Sequence, residues 1–328
     1  MKSIKNMIKD ESGVSPIVAT LVLIVVAVVG AVAVGTIVGT FSTDVADQNN
    51  VGDVSGASAT EIIIAGSTTV QPVSELLAEA YMKEHPGIKI TVQGGGSGAG
   101  ISSAGMGIVD IGSASRAMKD EETTKYPDLV QHKIGGSAVV FISNVNSDLN
   151  TTVGTVTELK AQYTGTATPI TAVYERDESS GTEDTVKDYF DVDSFTGTTK
   201  VTGNAGILEA VKGTDTGDKA IGFVDWSYAD GETGIYVADI DSDDNTIVWI
   251  DPDEIDADEL QDVASAVAND KTQDESGVDY PVDLGRLLFY ITDGTPSSIV
   301  QSYMTFCQSP AAFDYFEETG YWPIVELV

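Results

Sequence analysis

Apolar positions along this chain fall into two regimes. From Val14 to Thr43 no residue is charged, and PIVATLVLIVVAVVGAVAVGTIVGTF (residues 16–41) is long enough to cross a bilayer as a helix, which takes about 20 apolar residues. Lys2, Lys5 and Lys9 precede the stretch while Asp44 and Asp47 follow it, so the positive-inside rule places the N-terminus in the cytoplasm and the rest outside. The expected order is a leader over 1–13, a transmembrane helix over 14–41 and a flexible tether over 42–60, where Asp, Asn, Gly and Ser dominate. Beyond Glu61 the apolar runs become short. EIIIAG reads as a strand, Val73, Leu76, Leu77, Ala80 and Tyr81 recur at helical spacing, and IKITVQ (88–93) is again strand-like. The loop GGGSGAG (94–100) opens a small-residue helix that leads to the strand IVDIGSAS (108–115).

The second half repeats the arrangement. IGGSAVVFIS (134–143) is a strand that carries the chain into a second lobe, and TPITAVYERDESSGTEDTVKDYF (168–190) reads as strand, polar turn and helix. A helix over GNAGILEAV (203–211), strands over AIGFVDWSY (220–228) and LGRLLFYIT (284–292), and a helix over TPSSIVQSYMTFC (295–307) follow. Such alternation predicts an α/β fold with a largely parallel sheet. Residues 238–280, which include ADIDSDDNTIVWIDPDEIDADELQD, are too acidic for a core element and read as a solvated insertion. No repeat of fixed period interrupts the series.

Composition narrows the classes. With 51 acidic against 17 basic residues the formal charge is −34, which excludes a nucleic-acid binder, since that needs a basic footprint. A hydrophobic content of 42% excludes disorder as the reading of that acidity, and a salt-adapted acidic surface is expected instead. Cys307 is the one cysteine and is expected to be a buried, inert thiol; His85 and His132 are the only histidines. A metal site, a cofactor or a catalytic triad has little material here, and none is expected. The glycine loop lacks the lysine of a nucleotide-binding P-loop, and no serine sits in Gly-x-Ser-x-Gly.

What remains is a set of polar turns. Gly66-Ser67-Thr68-Thr69, Gly96-Ser97-Gly98 and Ser180-Gly181-Thr182 each follow a strand, combine hydroxyls with glycine and open a helix. One such turn alone is an ordinary N-cap. Several together present unpaired N–H groups, positive helix ends and hydroxyl donors, the parts of an anion site. Arginine is scarce, and of Arg116, Arg176 and Arg286 the first two border Ser-rich turns. Their planar forks suit a tetrahedral oxyanion. Arg286 borders no such turn, and a structural role is expected for it.

These motifs resemble the phosphate-binding proteins of phosphate ABC transporters, which are two-lobed solute-binding proteins. The resemblance runs from about Ile62 to the C-terminus and rests on AGSTTVQPVSELLAEAYMKEHPGIKITVQGGGSGAGI, DIGSASRAM, RDESSGT, GNAGILEAV with AIGFVDWSYA, and SPAAFDYFEETGYWPI. It implies a bilobal periplasmic-binding-protein-like fold of type II with two hinge crossings: lobe one over 61–140 and 286–328, lobe two over 141–285. Phosphate would be bound by Ser67, Thr68, Ser97, Ser115, Arg116, Arg176, Ser180, Gly181 and Thr182. Some members of that family have an aspartate where Arg116 stands, and it accepts the proton that sulfate lacks. Here the acceptor falls to Glu178, with Asp177 second. The implied partners are inorganic phosphate and the permease subunits of an ABC transporter, served by a monomeric, non-enzymatic ectodomain tethered to the membrane on the extracellular face. KDESGVSPIVATLVLIVVAVV (9–29) resembles the prepilin-type leaders of archaeal surface proteins, which implies cleavage between Gly13 and Val14; Ala31-Val32-Ala33 offers a rival signal-peptide site. The alternatives are a binder of sulfate, molybdate or tungstate, and a pilin-like structural subunit.

Overall fold

In a computed structural model of the chain, the residues described are 60–145, 147–167, 170–215 and 217–328. The leader, the apolar span and, apart from Thr60, the tether lie outside the described residues. Among those that are described, no helix is long and apolar enough to cross a membrane.

The main elements in chain order are β1 (Thr60–Gly66), α1 (Gln71–Glu84), β2 (Ile88–Gly94), α2 (Ser97–Gly105), β3 (Ile111–Ala114), β4 (Leu129–Ser143), β5 (Ala172–Arg176), α3 (Gly181–Phe190), β6 (Thr199–Val201), α4 (Gly203–Lys212), β7 (Ala220–Asp225), β8 (Tyr236–Asp241), β9 (Thr246–Ile250), α5 (Ala257–Ala268), β10 (Gly285–Asp293), α6 (Ser298–Cys307) and β11 (Trp322–Pro323). Local chemistry accounts for them. In α1, Pro72 lies in the first turn, where a missing N–H costs nothing, and Val73, Leu77 and Tyr81 recur every four residues and are buried. From Ile134 to Ser143 strand β4 is buried without interruption, as its apolar run requires of a strand covered on both faces.

Strand order is β2-β1-β3-β10-β4-β7-β5-β6, with β8 and β11 also pairing β4 and β9 pairing β8. Parallel pairs occupy the flanks, β2-β1-β3 on one side and β7-β5-β6 on the other. The centre is antiparallel, because β10 pairs β3 and β4, and β4 pairs β7. The sheet is therefore mixed, and the expectation of a largely parallel one is corrected: a chain that leaves along β4 and comes back beside it along β10 must reverse direction. Within β4, Leu129–Ala138 are in register with β10 and Val139–Ser143 with β7, so this one strand passes between two apolar clusters. One cluster gathers Ile62, Leu77, Ile111, Leu288 and Tyr303; the other gathers Val140, Phe141, Val186, Phe223 and Trp249.

The acidic stretch is not a solvated insertion. In β9, Ile247 and Trp249 face inward while Val248 faces out, and in α5 Leu260, Val263 and Ala264 have no exposed surface. Asp258 and Asp262 occupy the opposite, exposed face of α5. Period-two and period-3.6 patterning survives inside the acidic composition. Helix α5 also ties the halves together, because Leu260 and Val263 belong to the cluster of β7 and Phe141 while Ala264 and Ala268 pack with Leu287 and Phe289 of β10. Leu260→Ala is expected to destabilise the fold by about 2–5 kcal/mol, and Asp262→Asn by no more than about 0.5 kcal/mol, in denaturant unfolding. Equal small effects would return the segment to the surface.

Candidate anion site

The strand ends converge on one buried cluster of hydroxyls. Ser67 follows β1, Ser115 follows β3, Ser97 opens α2, and Ser180 and Thr182 open α3. Ser67, Ser97, Ser115, Ser180 and Thr182 are all at most 4% exposed. Ser67 Oγ donates to Ser115 Oγ (3.1 Å) and itself accepts the N–H groups of Thr69 and Val70. Ser97 Oγ accepts the Ser115 N–H at 3.1 Å, and Ser180 caps α3 by accepting the Glu183 N–H. Gly66, at φ +146°, admits no side chain: a Cβ there would lie 2.1 Å from the Ser113 carbonyl. Gly181 serves the cluster by size, since its Cβ would meet Ser115 Oγ at 2.5 Å and Ser97 Oγ at 2.6 Å.

Arg176, at the end of β5, is 1% exposed. It donates to Asn204 Oδ1 (2.9 Å) and Thr68 Oγ1 (2.7 Å) and is ion-paired with Glu178. Burial pushes its guanidinium below the ordinary arginine value; Glu178 opposes the fall and the charge of Arg286 adds to it. Arg176 Nε is buried and has no hydrogen-bond partner among the described residues, an orphan donor inside a polar cluster. Glu178 borders this group, with both its oxygens 3.3 Å from the Gly203 N–H at the start of α4. Asp177, by contrast, is engaged at the surface by the Thr202 hydroxyl (2.7 Å).

Arg116 is placed differently. Its Nε donates to Asp184 (2.7 Å) and its two outer nitrogens to Glu122 (2.7 and 2.9 Å), so two carboxylates and the Ala117 carbonyl take the fork. Burial would lower its pKa, but those carboxylates outweigh burial and raise it. None of its hydrogen bonds reaches the hydroxyl cluster. It forms instead an ion-pair group with Lys119, Glu122 and Asp184 that joins the segment after β3 to helix α3.

Four participants were not singled out as site residues from the sequence: Thr69, Asn204, Asp225 and Arg286. Thr69 Oγ1 lies 3.3 Å from Thr182 Oγ1 and accepts from Asn204 Nδ2 at 3.0 Å. Arg286, expected to be structural only, is 3% exposed and reaches the middle of the cluster from β10, while Asp225 is fully buried at the end of β7 and pairs with it at 2.5 Å. A signal was available. Arg286 stands inside LGRLLFYIT and Asp225 inside AIGFVDW, and a charge flanked by core residues demands a buried partner. Neither histidine enters the cluster; His132 bonds Thr292. Cys307 is buried, and burial raises its thiol well above the usual range, in keeping with an inert thiol.

Fold and site together define a class: a two-lobed α/β fold whose strand ends gather polar groups into a buried cluster between two apolar cores. The chain belongs to the family described as PBP superfamily domain, whose profile matches residues 51–311. Among curated relatives, a phosphate-binding protein PstS of Bacillus subtilis is 35% identical over 104 residues, 32% of this chain and 34% of the relative. Phosphate-binding protein PstS 2 of Streptococcus agalactiae is 36% identical over 112 residues, 34% of this chain and 36% of the relative. The chain thus spans about a third of the length of the curated relatives it matches. Among solved structures, a phosphate ABC transporter substrate-binding protein from Clostridium perfringens with bound phosphate superposes with a TM-score of 0.61 at 24% identity, over 80% of this chain and 99% of that one. An ABC-type phosphate transport receptor from Vibrio cholerae gives 0.56 at 21% identity, again over 80% and 99%. Both likenesses concern the fold.

The ion-pair group makes its own prediction. Burial works to raise the Glu122 pKa, but hydrogen bonds from Arg116 and the Lys119 backbone win and lower it. A lowered native pKa contributes stability above the unfolded carboxylate value of about 4.3, and that contribution fades as pH falls through the native value. Glu122→Gln is therefore expected to lower the Tm at pH 7, by the equivalent of about 1 kcal/mol or less, with the gap to wild type closing in acid. A gap that stays constant from pH 7 to pH 3 would refute the coupling.

Proposed function

We propose that this chain is an extracytoplasmic solute-binding protein that captures inorganic phosphate between its two lobes and hands it to the permease of an ABC transporter, with no bond broken. One observation carries the reading: the buried hydroxyls of Ser67, Ser97, Ser115, Ser180 and Thr182 gather at one place and connect through Thr69 and Asn204 to the buried guanidinium of Arg176, whose Nε is left without a partner among the described residues. Thr68 and Gly181 complete the set. Helices α1, α2, α3 and α4 all begin at this cluster, so their positive ends add to the donors. The naming of the Bacillus and Streptococcus relatives as phosphate-binding proteins, and the phosphate in the Clostridium structure, support the choice of anion.

In this reading lobe one comprises about 61–140 and 286–328, lobe two about 141–285, and the protein acts as a monomer. The apolar stretch over 14–41 tethers it to the membrane after a prepilin-like leader, with the ectodomain on the extracellular face. Sulfate, molybdate and tungstate would find the same donors, so calorimetry of each anion decides the ligand: phosphate is expected to bind most tightly, and tight sulfate binding without phosphate binding would overturn the assignment. Glu178 is the proposed acceptor of the phosphate proton. A buried lone pair facing sulfate costs about 1–3 kcal/mol, whereas protonated phosphate turns the same contact into a bond. Glu178→Gln is expected to lower the phosphate-to-sulfate affinity ratio by roughly tenfold or more. An unchanged ratio would confine Glu178 to pairing with Arg176.

A further inference from the structure

The hydroxyl cluster is organised around a residue that no Ser-rich turn borders. Arg286 carries five N–H donors and makes five hydrogen bonds, four of them to Thr69, Ser115, Thr182 and Asp225 of the cluster. Its Nη1 donates to Thr182 Oγ1 (2.8 Å) and Ser115 Oγ (3.3 Å), its Nη2 to Asp225 Oδ2 (2.5 Å) and Thr69 Oγ1 (3.2 Å), and its Nε to Ser137 Oγ (3.0 Å). Two of those partners, Ser115 and Thr182, are proposed phosphate ligands contributed by opposite halves of the molecule. Arg116 touches neither, and its fork is already filled by Glu122 and Asp184.

Charge reinforces the geometry. Arg176 and Arg286 are both buried, and the positive charge of Arg286 contributes to depressing the Arg176 pKa, so two guanidiniums lie within electrostatic reach of one another in a water-poor site. Like charges buried together repel unless anions match them. Glu178 matches Arg176 and Asp225 matches Arg286, and each carboxylate also accepts a backbone N–H, from Gly203 and Ser227 respectively. Those bonds hold the two carboxylates at the sides of the cluster, so the hydroxyl-facing edges of the two forks are held ready for an anion that bridges them.

We propose that Arg286 is the second anion-binding guanidinium of the site, oriented by Asp225, and that it takes the place that the family resemblance gives to Arg116. The inference rests on the anion-receptor reading above, though not on which oxyanion is bound. A bridging anion would replace hydroxyl acceptors on Nη1 and Nη2 with charged oxygens and give the lobes a shared charge to close on. Asp225 keeps the fork in plane while the lobes are apart.

The test is calorimetric titration of phosphate, sulfate and molybdate into four forms of the chain: wild type, Arg116→Met, Arg286→Lys, and the double variant Arg286→Met with Asp225→Leu. Removing Arg286 alone strands a buried carboxylate, whereas replacing both members of a buried pair by apolar residues is tolerated, so the double variant separates folding from binding. Arg286→Lys keeps the charge but loses the planar fork, and about a tenfold or greater loss is expected. The double variant is expected to unfold cooperatively near the wild-type Tm and to lose about 100-fold or more, while Arg116→Met stays within about threefold. Wild-type affinity in Arg286→Lys or in the folded double variant, or a 100-fold loss confined to Arg116→Met, would overturn the proposal. Should wild type bind sulfate or molybdate but not phosphate with the same dependence on Arg286, the phosphate reading fails and this inference stands. Binding of none of the three anions overturns both.

Discussion

Two arginines buried beside each other are the constraint from which the rest of this site follows. A guanidinium removed from water costs several kcal/mol unless its donors are met, and a second one nearby adds repulsion. Arg176 and Arg286 are 1% and 3% exposed, and the fold answers with a shell that meets all but the Arg176 Nε donor: Glu178 and Asp225 for charge, and Thr68, Thr69, Ser115, Ser137, Thr182 and Asn204 for direction. Small hydroxyl residues suit this shell because each rotates to donate or accept. Glycine is needed where the shell is tightest, as at Gly181 between Ser97 and Ser115.

That shell is assembled only when the two halves meet. Thr69 and Ser115 belong to the segments that follow β1 and β3, Thr182 and Asn204 to α3 and α4, and Arg286 reaches both from β10. The scaffold that permits this is the pair of central strands. β4 runs unbroken from one apolar cluster to the other, and β10 returns alongside its first half. Helix α5 spans the same crossing with Leu260 on one side and Ala264 on the other. Outside the buried cluster, the Arg116, Lys119, Glu122 and Asp184 group adds a polar bridge between the halves. Its partial exposure makes it sensitive to salt in a way that the buried pairs are not.

An acidic chain with a proposed anion site is less paradoxical in this light. The surplus of carboxylates lies largely on outward faces, as at Asp258 and Asp262 on α5, while the few arginines are drawn inward to places where a local charge counts for more. Composition describes the shell of such a protein and says little about its centre. For the same reason the acidity of 238–280 concealed a β-hairpin and a core helix: Ile240, Ile247, Trp249 and Leu260 are spaced to face inward whatever separates them.

The sequence by itself determined the units. Alternating strands and helices, the hydroxyl turns at Ser67, Ser97 and Ser180, and Arg176 beside the last of them are all local features, because propensity, capping and periodicity act over a few residues. The tertiary structure alone decided which units face one another. It placed β10 against β4, which brings Arg286 to residues more than a hundred positions away, and it let Glu122 and Asp184 claim Arg116 before the cluster could. Sequence proximity to a Ser-rich turn favoured Arg116 over Arg286, whereas burial favoured the reverse. A charged side chain is positioned by the partners that its desolvation requires, and those partners are chosen by long-range pairing of strands.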